Sequence, residues 1–182
     1  AGGTLSGSGT VEDPYIIEDA DDLWTFANML RGSTSHLSDC AKIADGVTMI
    51  DISDEMWQGI PSNMTMPDGY RGTFDGNGAT IKLTMAISGG YQVGFFNTLD
   101  AGGVIKNVTI DGTVSGNYDV GGVCGRNGGT IIDCNNKADV SGKNDRVGGI
   151  AGSCMDGGKL IAFKTMRSDR GRKQGRRNRR IL

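Results

Sequence analysis

Histidine is nearly missing from this sequence, with one residue in 182, and proline occurs three times. Aromatic residues make up only 6% of the chain. A single histidine, His36, provides no partner for a second imidazole, and an H-E-x-x-H zinc helix is absent. His36 lies in a Ser/Thr-rich connection and reads as a loop residue. No apolar run approaches the roughly 20 residues that a membrane-spanning helix requires. The four cysteines, Cys40, Cys124, Cys134 and Cys154, lack the short knuckle spacing of a structural zinc site. They read as small buried residues in strand positions, with a disulfide among Cys124, Cys134 and Cys154 as the alternative in an oxidising compartment.

What the chain has in excess is glycine, 31 residues, more than twice the usual share of about 7%. The glycines follow no three-residue period, which excludes a collagen triple helix. β-Branched residues dominate long stretches, so the expected class is mainly β, with many short strands joined by tight turns. Charge is unevenly distributed. Residues 164–182 carry nine Lys or Arg against Asp169, whereas the preceding residues hold ten Lys or Arg against twenty Asp or Glu. The chain opens on Ala1 rather than Met. The corresponding expectation is that a leader has been removed, as in a secreted protein.

Three stretches repeat: "YQVGFFNTLDAGGVIKNVTIDGTVSG", "YDVGGVCGRNGGTIIDCNNKADVSG" and "DRVGGIAGSCMDGGKLI". Their leading valines are Val93, Val120 and Val147, 27 residues apart each time. Ile105 then corresponds to Ile131, Val108 to Cys134 and Val114 to Val140. A fixed period of this length marks a repeat architecture. One such unit cannot bury its own apolar face, but stacked units can, which predicts a parallel β-helix, or β-solenoid. Asn107 and Asp133 are expected on the solvent side.

Upstream, "EDADDLWTFANMLRG" places Leu23, Phe26, Ala27 and Leu30 on one helical face. Asp19 is the expected N-cap, Asp21 and Asp22 suit the positive end of the helix dipole, and Gly32 supplies a stop. This predicts one α-helix over about residues 20–31, capping the first coil. "GSGTVEDPY" lacks a phosphate-loop pattern and reads as a flexible lead-in. "KIADGVTMIDIS" reads as a strand pair around Asp45-Gly46, and "GTFDGNGATIKL" as a hairpin with Asn77 at its tip. The expected organisation is 1–90 for the cap, strands and hairpin, 91–163 for the repeat coils, and 164–182 for the basic tail.

In order, "GSGTVEDPYII", the helix, "IDIS" with Trp57 soon after, "RGTFDGNGATIKL" and "VGFF…AGGVIKNVTIDGTVSG…VGGVCG" resemble the GLUG-motif family of bacterial surface proteins. That repeat also occurs in non-catalytic regions of immunoglobulin-A-cleaving metallopeptidases. The resemblance spans about residues 7–161. It implies an extracellular or cell-surface β-solenoid module, non-catalytic, acting in adhesion or as a structural spacer, and it implies no particular ligand site.

The residues themselves point to no catalytic, cofactor or metal constellation. Asp75-Gly76-Asn77-Gly78 resembles part of a calcium loop, but Ala79 and Lys82 break the ligand pattern. Asp51, Asp54 and Glu55 are the densest internal acid cluster, and with Trp24 and Trp57 they motivate the alternative of a carbohydrate-active β-helix enzyme. Packing is the stronger reading for Trp24. Asn63 and Asn107 begin N-x-T glycosylation acceptors. The tail motivates a third alternative, anionic-surface or nucleic-acid binding, non-specific because no aromatics interleave with its charges. Read one nucleotide forward, "RKQGRRNRRIL" permits "ENKVGGIGGF", a further V-G-G-I repeat, so the tail is also readable as an out-of-frame coil. The expected partners are a host or matrix glycan or protein.

Overall fold

The structure, a computed structural model, describes residues 4–61 and 68–165 and the backbone of residues 173–174. Its strands are three or four residues long on average, and they form four parallel sheets, the faces of a β-helix. The first face stacks Tyr15–Ile17, Ala41–Ile43, Thr73–Asp75, Val104–Lys106, Thr130–Ile132 and Lys159–Ile161. The second holds Met49–Asp51, Thr80–Ala86, Thr109–Gly116, Asn135–Asn136 and Lys164–Thr165, with Asp139–Gly142 also paired to Thr109–Gly116. The third holds Tyr91–Val93, Tyr118–Gly121, Asp145–Gly148 and Lys173–Gln174. The fourth holds Phe96–Leu99, Cys124–Asn127 and Ala151–Cys154. From Thr73 onward the chain visits the faces in this order, first to fourth, on each turn, so a strand pairs with its counterpart one turn away.

The repeat valines stack as expected, Val93 opposite Val120 and Val120 opposite Val147. Ile105, Ile131 and Leu160 form a second ladder, and Val114 pairs with Val140. All of these side chains are buried. Burial of these aliphatic rows contributes roughly 1.5–3 kcal/mol per side chain, an upper estimate, and so holds the register. Asn107 and Asp133 lie at the corner between the first and second faces, with φ of 56° and 54°.

Glycine has a specific task where the third face turns into the fourth. A Cβ on Gly125 would stand 2.5 Å from the carbonyl carbon of Gln92, and one on Gly152 would stand 2.3 Å from that of Asp119. The two faces therefore meet backbone to backbone, one turn apart, and only a residue without a side chain fits. This is the physical content of the recurring V-G-G-[VI]-x-G.

The helix spans Ala20–Gly32 and buries Leu23, Phe26, Ala27 and Leu30 against the end of the core. Asp19 accepts a hydrogen bond from the Asp22 amide at 2.9 Å, which closes the first turn. Gly32 is the last helical residue, but the cap is Ser33 in an extended conformation, φ −160° and ψ 138°, so the stop does not use a left-handed glycine.

Three local expectations are corrected. Ala41–Ile43 and Met49–Asp51 are not paired with each other; they lie on different faces. Thr73–Asp75 and Thr80–Ala86 likewise form no hairpin. Asn77 and Gly78, with φ of 52° and 82°, make a corner between faces. Left-handed Asn-Gly geometry serves a hairpin and a coil corner equally well, and stacking with neighbouring turns selects the corner. The lead-in is a closed loop rather than a flexible one. The amides of Ser8, Gly9 and Thr10 all donate to the Asp13 carbonyl, and Gly9 accepts from the Cys40 amide at 2.7 Å.

Candidate functional site

The third face bends one residue before each stacked valine. Gln92, Asp119 and Arg146 all take left-handed conformations there, with φ of 59°, 50° and 65°. On the fourth face, Thr98, Arg126 and Ser153 share one register position. The two ladders face each other across a cleft of ≈ 730 Å³. In the earliest of these turns the position is closed internally, because the Thr98 hydroxyl donates to Gln92 Oε1 at 3.0 Å. One turn later Asp119 and Arg126 occupy those places, and the closure changes partner. Arg146 donates through Nε and, at 3.3 Å, through Nη2 to the Asp119 carboxylate. Asp119 is 6% exposed, so its charge requires this partner. The hydrogen bond to Asp119 raises the already high pKa of the Arg146 guanidinium. The Arg146 side chain is 52% exposed, which limits the pair to a fraction of a kcal/mol up to about 1 kcal/mol.

Arg146 also lies 5.7 Å from the ring centre of Tyr118, which stacks on the exposed Tyr91 at 5.1 Å. Arg126 is exposed, and its guanidinium has no hydrogen-bond partner among the described residues. Met155 and Asp156, from the turn after the fourth face, complete the wall. Chemically the cleft offers one uncommitted planar donor fork, one carboxylate at Asp156, a hydroxyl at Ser153 and an apolar strip at Met155. None of these residues stands in a motif recognisable from the sequence alone. The available signal was the position preceding each repeat valine, which reads Gln, Asp, Arg at the repeat spacing.

Asp51, Asp54 and Glu55 sit together on one exposed turn after Met49–Asp51. Asp51 accepts from the Ser53 amide at 2.9 Å and from the Ser53 hydroxyl. These bonds hold its carboxyl below the usual range, opposite to the raised value a glycosidic proton donor requires.

Trp57 is fully buried, and its indole N–H donates to the Phe95 carbonyl at 3.0 Å. Trp24 packs against it with ring centres 4.8 Å apart and planes tilted by 60°, and Arg31 sits over both rings while donating to the Gly59 carbonyl at 2.9 Å. Both tryptophans thus fasten the helix to the coils. Asp75 accepts from the Asn77 amide at 2.8 Å and from Asn107 Nδ2 at 3.3 Å, so its oxygen links adjacent corners. Asn107 is half-buried by the same contact. His36 closes a local turn, Nδ1 to Asp39 Oδ2 at 2.7 Å. No group of three or more potential metal ligands occurs among the described residues. The four cysteines are free thiols; burial pushes Cys134 up to about 12 and Cys124 higher still. Asn63 lies outside the described residues, as does the basic tail beyond Thr165 except for the backbone at 173–174.

Residues 116–141 match the GLUG motif, which covers the turn that carries Asp119 and Arg126. Over 157 residues the chain is 34% identical to Halomucin of Haloquadratum walsbyi (strain DSM 16790 / HBSQ001). That match takes in 83% of this chain and 2% of Halomucin. Among solved structures, a Bacteroides ovatus protein provisionally named an immunoglobulin A1 protease superposes with a TM-score of 0.71 at 25% identity. The superposition covers 87% of this chain and 49% of that one. The chain therefore spans a small part of the one relative and about half of the other.

Proposed function

Starting from a chain that carries the GLUG repeat on a parallel β-helix, we propose that it is a non-catalytic module of an extracellular or cell-surface protein, acting in adhesion or as a rigid spacer. The observation that carries this reading is the register of the coils. Valine stacks on valine through three successive turns, and the acids that prompted an enzymatic alternative are solvated on a single turn. Stacked turns in fixed register make a stiff element whose length grows with turn number, which suits presentation and spacing. The small share of Halomucin covered by the chain supports a modular role within a longer protein.

The test has two parts. Incubation of the chain with immunoglobulin A and with a polysaccharide panel, followed by mass spectrometry, is expected to release nothing. Cleavage that Asp51→Asn abolishes would replace this reading with the enzymatic one. Biotinylation of intact source cells with a membrane-impermeant reagent is expected to label the parent protein, and labelling only after lysis would refute the surface assignment.

A further inference from the structure

We infer that the Asp111–Gly112 peptide is a site of spontaneous covalent modification, where the Asp111 side chain closes on the Gly112 nitrogen to give a succinimide and then an isoaspartate.

The second face is interrupted at this point. Thr109–Gly116 pairs with two separate strands of the following turn, Asn135–Asn136 and Asp139–Gly142. Asn136 pairs with Ile110 and Asp139 with Thr113, so Asp111 and Gly112 lie opposite the gap at Lys137 and Ala138. That gap is closed on itself. The Asn136 side-chain amide donates to the Ala138 carbonyl at 3.0 Å, and Asn136 Oδ1 accepts from the Ala138 amide at 3.1 Å. Gly112, with φ of 105°, turns its own amide to Asp111 Oδ1 at 2.8 Å.

Glycine leaves its nitrogen unshielded, so Asp-Gly and Asn-Gly pairs offer the least steric resistance to ring closure. The chain has five Asp-Gly and two Asn-Gly pairs, and the fold treats them differently. The Gly69 amide donates to Asp100 Oδ2 at 2.9 Å. The amides of Gly76, Gly78 and Gly128 donate to the carbonyls of Lys106, Asn107 and Leu99. Each of these nitrogens is held by another part of the fold, away from its own preceding side chain. Asp45-Gly46 and Asp156-Gly157 lie in exposed turns. At Asp111 the hydrogen bond itself holds the nitrogen beside the carboxyl group, which raises the effective concentration of the nucleophile.

The step needs no co-reactant beyond water. The Gly112 nitrogen loses its proton and attacks Cγ of the protonated carboxyl. An N–Cγ bond forms, a Cγ–O bond breaks and water leaves. Water then opens the ring, and opening at the main-chain carbonyl gives isoaspartate. The product carries one extra methylene in the backbone of Thr109–Gly116, the longest strand of the second face.

The test follows isoaspartate in the full chain over weeks in mildly acidic buffer, folded and, in parallel, unfolded in guanidinium chloride. Peptide mapping with electron-transfer fragmentation reads each Asp-Gly pair separately. The unfolded chain sets the intrinsic rate of each pair. Folding should slow Asp68 and Asp75 by about tenfold or more and leave Asp111 within about threefold of its intrinsic rate. Asp111→Asn, with ammonia as the leaving group, gives a faster second readout. In the folded variant, position 111 should convert ahead of Asn77, whose Gly78 nitrogen is held. Protection of Asp111 by folding as strong as that of Asp75 would overturn the proposal, and so would conversion of the Asp111→Asn position no faster than that of Asn77.

Discussion

Asn127 occupies the register position that Leu99 fills one turn earlier and Cys154 one turn later. It is fully buried, its amide donates to the Lys159 carbonyl at 3.0 Å, and its carbonyl oxygen accepts from the Gly129 amide at 3.0 Å. A polar side chain here satisfies the backbone of the turn leading into the next coil. Asn127→Leu restores the apolar row but strands the Gly129 amide and removes one hydrogen bond from the Lys159 carbonyl. It should destabilise the protein by about 2–3 kcal/mol in chemical denaturation. A neutral effect would show that water replaces both bonds.

Gly125 and Gly157 should differ sharply on substitution by alanine. At Gly125 the added methyl meets the backbone of Gln92 and Val93, which cannot move without breaking the valine ladder. A loss of about 3 kcal/mol or more, or failure to fold, is expected. At Gly157 the space is open and only the backbone angle, φ +82°, opposes a side chain. Alanine there should cost about 1–2 kcal/mol. Equal thermal shifts would remove the close-approach explanation of the motif.

Trp57 joins the capping helix to the coils through both its ring and its N–H. Trp57→Phe keeps an aromatic ring and removes one of the two hydrogen bonds to the Phe95 carbonyl, which still accepts from the Ile60 amide at 3.1 Å, for an expected loss of about 0.5–1.5 kcal/mol. Trp57→Ala should lose about 3–5 kcal/mol. Hydrogen exchange should then show the helix Ala20–Gly32 opening before the valine ladder. Uniform opening would mean that the cap and the coils unfold as one unit.

Buried thiols give the protein an alkaline weakness. Burial raises Cys134 from 9.0 to about 12, and Cys124 is raised further. Above pH 9 the unfolded thiols ionise while the folded ones remain protonated. Stability is therefore intact below about pH 9 and falls as pH rises towards 12. The double variant Cys124→Ala, Cys134→Ala should show a weaker decline over this window, apart from its lower baseline. In the native protein at pH 8, Cys124 and Cys134 should resist iodoacetamide until denaturant is added. Rapid native labelling of either thiol would contradict their burial.

The basic tail carries a prediction about its gene. Gln174 pairs opposite Val147, the same 27-residue step that separates the earlier valines, with a register irregularity between Asp145 and Val147. In the reading shifted by one nucleotide, a valine falls at position 175. The source DNA is expected to encode V-G-G-I there. Any other residues in that frame would leave the basic run to be explained by function.

The stacked turns and the α-helix Ala20–Gly32 were legible in the sequence because both are periodic: Val93, Val120 and Val147 recur at one spacing, and Leu23, Phe26, Ala27 and Leu30 at another. Burial acts on such patterns directly, since a repeated apolar position can be covered only by its own counterpart or by the core. Turn chemistry was not decisive. Asn77 and Gly78 were readable as a turn, yet left-handed backbone angles leave the direction of the outgoing strand open. Tertiary stacking settled it, because Asp75 finds its partners at Lys42 and Lys106 in other turns and none in the strand that follows. The cleft was hidden for the same reason. Arg126 and Ser153 stand 27 residues apart, as do Asp119 and Arg146, and nothing local in either neighbourhood marks them. What brings them together is the register of parallel strands, a long-range quantity fixed by packing of the aliphatic rows inside, while the polar residues outside are carried to wherever that register puts them.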